Sequence, residues 1–167
     1  MSQPEWLIAS ALASADDQPW ATYRALAGFA NALVGARLFT LMAFDETDGC
    51  AVRFFSNMPE AYPVSGRKPA NPTDWSRQVL QEHRTFVAND IAAIAQVFPD
   101  HELIRSLGCE SVLNVPIVIA GKAVGSINCL DKAGNYTPER VAASEALKLP
   151  GAACFLFHMQ FFDEGGQ

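Results

Sequence analysis

The chain has 167 residues, 50% apolar and 18% charged, enough for one folded domain that buries a core without disulfide or metal staples. A formal net charge of −6 excludes a general nucleic-acid binder, which needs a basic patch to displace counterions from phosphates, and equally excludes adhesion to an anionic membrane. No basic segment opens the sequence, and no apolar stretch approaches the ~20 residues that span a bilayer, so a cytoplasmic chain is expected.

Ser2 to Glu5 reads as a capping box, and a short helix follows through Trp6, Leu7, Ile8 and Leu12. A second helix is expected to start at Asp16 or Asp17, with Pro19 in its first turn. Its apolar residues Trp20, Tyr23, Leu26, Ala27, Ala30, Leu33 and Val34 recur in steps of three and four, which gives one buried stripe. Gly35 closes it. Residues 36–45 and 50–57 are rich in strand formers and flank the turn Glu46-Thr-Asp-Gly49, which predicts a β-hairpin.

Prolines 59, 63, 69 and 72, with Gly66, predict a loop from Met58 to Asn71. Thr73 or Asp74 caps a helix through Trp75, Val79 and Leu80. Residues 84–88 form a short strand, Asn89 or Asp90 caps a helical turn through Ile91 and Ile94, and residues 100–107 form another helix ended by Gly108. Residues 109–119 and 122–131 are two strands joined at Ala120-Gly121. Pro116 suggests a bulge or a face where the N–H is unpaired, and Gly125 marks a close approach of backbone or helix. Thr137, Pro138 and Glu139 start a last helix that Pro150-Gly151 should kink or break, and residues 153–162 are unusually aromatic. Two hairpins separated by an irregular helical crossover imply an antiparallel sheet. The terminal helices would cover one face and the crossover the other.

The stretch Gly108-Cys-Glu-Ser-Val-Leu-Asn-Val-Pro-Ile117, then Gly121 and Val124-Gly-Ser-Ile-Asn128, resembles the conserved hairpin of GAF domains. Tyr136-Thr-Pro-Glu139 resembles that family's entry into its last helix, and Phe86 to Asp90 its third strand. The likeness covers residues 17–160. It implies an α+β, PAS-related fold with central antiparallel strand order 2-1-5-4-3 and a ligand pocket under the crossover. It also implies a stand-alone sensory or regulatory module without catalytic activity, and often dimers through the terminal helices. On this reading residues 1–16 are a dimer or docking arm, 17–162 the GAF domain and 163–167 a flexible tail. The patterns by which cyclic-nucleotide binders, bilin binders and free-methionine-sulfoxide reductases of the family are known are not matched.

The candidate ligand-binding residues are Phe55, Tyr62, Trp75, Phe98, Ser111, Asn114 and Asn128. Aromatic walls with a few polar groups are what ligand sites present. Asn128 would face the pocket by alignment with the family's strand. With a two-residue turn at Ala120-Gly121, Asn128 pairs with Leu113, and Asn114 points to the other face unless a bulge intervenes. Ser111 could donate to an anionic ligand or satisfy local backbone. Asp100-His101-Glu102 reads better as helix capping than as acid–base chemistry. His83, His101 and His158 have no metal spacing, and no cofactor is indicated. Cys50, Cys109, Cys129 and Cys154 include no CxxC pair and read as buried hydrophobes.

The expected partners are a small molecule of unknown identity, a second copy of the chain, and a separate protein for output. Two alternatives stand beside this reading. One is a small thiol-based redox enzyme, with Cys109 near the pocket mouth as the candidate thiolate. The other is a closed-pocket dimerisation or interaction domain.

Overall fold

The computed structural model describes residues 5–64, 67–69 and 72–162. Helix α1 spans Trp6–Ala13 and α2 spans Trp20–Val34. The capping box expected at Ser2 lies outside the described residues. Helix α2 starts later than the sequence predicts, because Asp17 takes φ 54°, which a right-handed helix cannot hold; the Gln18–Pro19 bond is cis. Gln18 fastens the two helices together. Its Nε2 donates to the carbonyls of Ala11 (2.6 Å) and Ser14 (2.8 Å) at the end of α1, and its Oε1 accepts from the Thr22 hydroxyl at 2.8 Å. The buried face of α2 carries Tyr23, Leu26, Ala30 and Val34, the predicted three-and-four stripe. Helix α1 buries Ile8 and packs on α2.

Five antiparallel strands follow, in the order β2-β1-β5-β4-β3. They are β1 (Leu38–Phe44), β2 (Ala51–Ser56), β3 (Phe86–Ala88), β4 (Ser111–Ile119) and β5 (Lys122–Asp131). The β4–β5 turn is the predicted Ala120-Gly121, with φ 52° and 80°, the two positive values that match a tight hairpin to the strands' twist. Two register shifts decide which side chains share a face. In the first hairpin Leu41 pairs with Phe55 but Met42 pairs with Arg53, so Phe54 is the extra residue. In the second, Ile117 pairs with Gly125 and Val118 with Ala123, so Val124 is the extra residue. The predicted bulge exists, but on β5, across from the strand that carries Pro116.

One sheet face carries Phe39, Leu41, Leu113, Val115, Ile117, Ile127 and Cys129, which join α2 and the C-terminal helices in one core. Those helices are α6 (Pro138–Ala143), a 3₁₀ turn (Ser144–Leu147) and α7 (Lys148–Phe161). Thr137 caps α6, accepting from the Arg140 N–H at 3.4 Å. Pro150-Gly151 does not break the last helix as expected. Pro150 sits in the first turn of α7, where no N–H is required of it, and the irregularity falls just before, at the 3₁₀ turn. The missing side chain of Gly151 lets α7 lie on Ile117 and Ile127, whose Cδ1 atoms are 2.7 and 2.8 Å from where a Cβ would stand.

The crossover covers the opposite face. It contains α3 (Asp74–Ser76), which continues into a π-helical turn (Arg77–Gln81), then α4 (Ile91–Ala95) and α5 (His101–Ser106). Thr73 caps α3 in a full capping box, and Asp90 caps α4 by accepting from Ala93 N–H at 2.8 Å. A smaller core of Leu38, Tyr62, Ile94, Ile104, Cys109, Val112 and Leu130 holds this layer down. No helix among the described residues is long and apolar enough to cross a membrane.

Candidate functional site

The crossover leaves a cavity of about 910 Å³ above the sheet, within the size range of small-molecule sites. Its floor is Thr40 and Met42 from β1, Val112 and Asn114 from β4, and Asn128 and Leu130 from β5. Its walls include Phe44, Tyr62, Trp75, Leu80 and Phe98. The aromatic rings brace one another. Trp75 meets Phe44 and Phe98 edge-on, at centroid distances of 6.3 and 6.1 Å.

A chain of polar side chains crosses the floor. The Trp75 indole N–H donates to Asn114 Oδ1 at 2.9 Å, Asn114 Nδ2 donates to Asn128 Oδ1 at 2.7 Å, and Asn128 Nδ2 donates to Thr40 Oγ1 at 3.1 Å. The Ser126 hydroxyl also donates to Asn128 Oδ1, at 2.9 Å. The extra residue Val124 makes this chain possible, because it shifts the register so that Asn114, not Leu113, faces Asn128. Replacing Asn114 with Leu strands the Trp75 donor and half of Asn128. The expected cost is about 1–3 kcal/mol, read as a lower denaturant midpoint at unchanged m-value. Asn128→Leu should cost as much, and the double variant less than the sum of the two.

Tyr62, Trp75, Phe98, Asn114 and Asn128 therefore come together as the sequence predicts. Phe55 and Ser111 do not. Phe55 lies on the helical face, 5.5 Å from Tyr23 and 6.1 Å from Phe39 between ring centroids, because the extra residue Phe54 reverses its side of the strand. The Ser111 hydroxyl is fully buried and spends its proton on the backbone carbonyls of Asp131 and Lys132, at 3.1 and 2.6 Å.

Arg53 and Asp100 are among the lining residues that the sequence did not point to. Arg53 is only 4% exposed; its guanidinium lies 4.0 Å from the centroid of the Tyr62 ring, and Nη1 donates to the Pro63 carbonyl at 2.8 Å. Asp100 stands at the start of α5 but does not cap it. Its carboxylate accepts from the Tyr62 hydroxyl at 2.7 Å, and burial pushes the Tyr62 phenol well above its usual range, so the proton stays on the phenol. An arginine between apolar strand residues was the available signal for the first. Nothing local signalled the second, whose partner is 38 residues away.

The edge of the cavity is tied to the tip of the first hairpin. Lys68 bridges Ala51 through two 2.8 Å backbone bonds, and Arg67 pairs with Asp45 at 2.7 Å and with Asp48. The Thr47 hydroxyl, then Arg67, hold the Asp45 carboxyl down to about 2.

The sheet order, the covered face and the cavity floor have a counterpart in sequence: the GAF domain family model matches residues 21–148. The chain belongs to the GAF family. Solved GAF structures share its fold at low identity. A GAF domain from a phosphoenolpyruvate-protein phosphotransferase of Coxiella burnetii is 18% identical, with 92% of this chain and 90% of that one covered at a TM-score of 0.67. The GAF domain of a two-component sensor histidine kinase from Bacillus halodurans is 15% identical, covering 83% and 94% at 0.66. The free methionine-R-sulfoxide reductase of Neisseria meningitidis, solved with its substrate, is 19% identical, covering 92% and 86% at 0.64. No curated protein matches the chain.

The cysteines of this GAF domain are placed for packing. Cys109 was expected near the pocket mouth, but it is fully buried in the smaller core, and burial pushes its thiol up to about 11. Cys129 and Cys154 are fully buried and are pushed up to about 12, again chiefly by burial. Cys50, half-buried beside the hairpin tip, is raised by its hydrogen bond to Asp48. All four thiols are thus shifted away from the thiolate that nucleophilic sulfur chemistry requires.

Proposed function

We propose that this GAF domain is a non-catalytic, cytoplasmic sensory or regulatory module that binds a small molecule in the cavity under its crossover. The observation that carries this reading is the cavity itself. About 910 Å³ remains open between an amide-bearing floor and an aromatic wall, where a closed interaction domain would have filled it with its own side chains. Tyr62, Trp75, Phe98, Asn114 and Asn128 are the proposed contacts. A ligand that bridges floor and wall favours the closed crossover over looser arrangements, and its differential affinity is the signal passed to a separate output protein.

A thermal-shift screen of nucleotides, amino acids and aromatic acids tests it. A true ligand at a hundred times its Kd adds about 2.7 kcal/mol, or roughly 5–10 °C for a domain of this size. Val112→Trp, which fills the cavity floor, should abolish the response. A response that survives Val112→Trp would place binding elsewhere and remove the basis of the proposal.

The second copy of the chain is proposed to dock on α7. Leu149, Leu156 and Met159 fall on one side of that helix and are 80%, 49% and 47% exposed, and Trp6 of α1 is exposed as well. Such apolar faces on terminal helices mark interfaces. On this reading residues 17–162 form the sensory domain, and residues 1–16 a docking arm that α1 already lays on α2. Light scattering at tens of micromolar should give a dimer, and Leu149→Glu with Leu156→Glu a monomer. A monomeric parent protein at that concentration would count against it.

A further inference from the structure

The polar groups around the cavity are unevenly supplied. Arg53 lines it with a positively charged guanidinium. It is 4% exposed, yet among the described residues no carboxylate lies within ion-pair distance of it. Its Nε is buried and has no hydrogen-bond partner. The nearest acid in the same chain of contacts, Asp100, is bonded to the hydroxyl end of Tyr62 rather than to the guanidinium, and it is half-exposed, so water can satisfy it. A buried guanidinium held by one carbonyl and one ring face is under-compensated. The floor adds to the same imbalance. Asn114 and Asn128 each have their oxygen occupied, while each Nδ2 uses one of its two hydrogens.

From this we infer that the guest of the cavity is a small organic oxyanion, a carboxylate or phosphate on an apolar or aromatic body. Its charged end is seated on Arg53 and its body lies against Trp75 and Phe98. The inference rests on the binding role proposed above and names the chemistry of the guest. A planar guanidinium gives two parallel donors to a carboxylate or phosphate, and the charges on both partners make such a bond roughly twice as strong as a neutral one. The aromatic wall accounts for the rest of the molecule, because a bare inorganic anion leaves most of about 910 Å³ unfilled. Since the whole chain carries −6, long-range attraction does not recruit an anion, and selection falls to the local contact with Arg53.

The test uses the neutral fluorophore N-phenyl-1-naphthylamine as reporter of the cavity, displaced by 3-phenylpropionate, phenyl phosphate or the uncharged 3-phenylpropanamide. The reporter should bind the parent protein and fail to bind Val112→Trp. If it binds neither protein, or both alike, the cavity-binding role itself fails. With the reporter in place, at least one of the two anions should displace it at a concentration ten or more times lower than the amide does, and the better anion names the headgroup. Arg53→Gln should weaken that anion tenfold or more and leave reporter and amide within twofold. Equal potency of anions and amide, or equal losses for all competitors in Arg53→Gln, overturns the oxyanion inference while leaving the binding role standing. Should Arg53→Gln lose its native circular dichroism, the anion-to-amide ratio in the parent protein decides by itself.

Discussion

Gly125→Ala is expected to lower the melting temperature by about 6–12 °C. The added Cβ would stand 2.1 Å from Cε1 of Phe155 and 2.3 Å from the carbonyl oxygen of Met42. The first contact could be relieved by moving α7, but Phe155 is fully buried and packs edge-on against Phe54 at 5.2 Å. The second is with backbone: Met42 belongs to the ladder between β1 and β5 and pairs with Ser126, next to the glycine. One methyl group therefore pushes on both layers of the main core. Overpacking of this kind costs about 3 kcal/mol, well above the gain of under ~1 kcal/mol from replacing glycine in a strand. At roughly 2–4 °C per kcal/mol for a domain of this size, the range follows. Gly28→Ala is the control, because its methyl meets nothing within 4 Å on α2 and should raise stability by about 0.5–1 kcal/mol. Calorimetry on the two variants reads both signs, and a Gly125→Ala protein melting within 2 °C of the parent would contradict the packing described.

Stability should fall steeply above pH 9. The thiols of Cys109, Cys129 and Cys154 are pushed up by burial to about 11, 12 and 12 in the folded protein, against about 8.5 in an unfolded chain. Below pH ~8.5 both states keep these protons, and the full stability is present. Between ~8.5 and 11 the unfolded state releases three protons and the folded state holds them, so the unfolded state gains with every step upward. At pH 10 this amounts to about 2 kcal/mol per thiol, or about 6 kcal/mol for three, comparable with the whole stability of a typical domain. Burial also raises the phenols of Tyr23, Tyr62 and Tyr136, which extends the same trend to higher pH. Denaturant titrations at pH 7.5 and 10 measure the loss, and Cys→Ala at the three positions should flatten the profile even as it lowers the plateau. The same burial predicts no fast reaction of these thiols with a disulfide reagent in native buffer. A flat profile, or one fast thiol among the three, would reopen thiol chemistry as a function.

The elements, their order and the division of faces were legible from periodicity, caps and turn residues. Tyr23, Leu26, Ala30 and Val34 mark one side of α2 by spacing alone, and Thr137, Pro138 and Asp90 announce helix starts through their own side chains or ring. What stayed hidden depended on single extra residues in strands. Phe54 and Val124 each interrupt a period of two, and nothing in their chemistry sets them apart from their neighbours. The first split Arg53 and Phe55, which a regular strand would hold on one side, so that Arg53 faces the cavity and Phe55 the helices. The second brought Asn114 beside Asn128. The fate of Pro150 was also beyond local reading, because a proline breaks a helix or begins one depending on where the preceding turn ends, and packing of Gly151 on Ile117 and Ile127 settles that. Asp100 shows the same limit: at a helix start, capping is the local expectation, and only the fold supplies a tyrosine for it to prefer.

The second of those extra residues makes the length of the β4–β5 hairpin a binary switch on chemistry. Removing Val124 alone takes out the one unpaired residue, so Ala123 would still face Val118, Gly125 would still face Ile117, and Asn128 would still face Asn114. Removing it together with Gly125 would instead bring Asn128 opposite Val115, on the helical face, and trade the amide-lined floor for an oily one. In this protein the loss of one residue between the turn and Ser126 is tolerable and the loss of two is ruinous, so the spacing between Asn114 and Asn128 is itself a functional trait, as much as either amino acid.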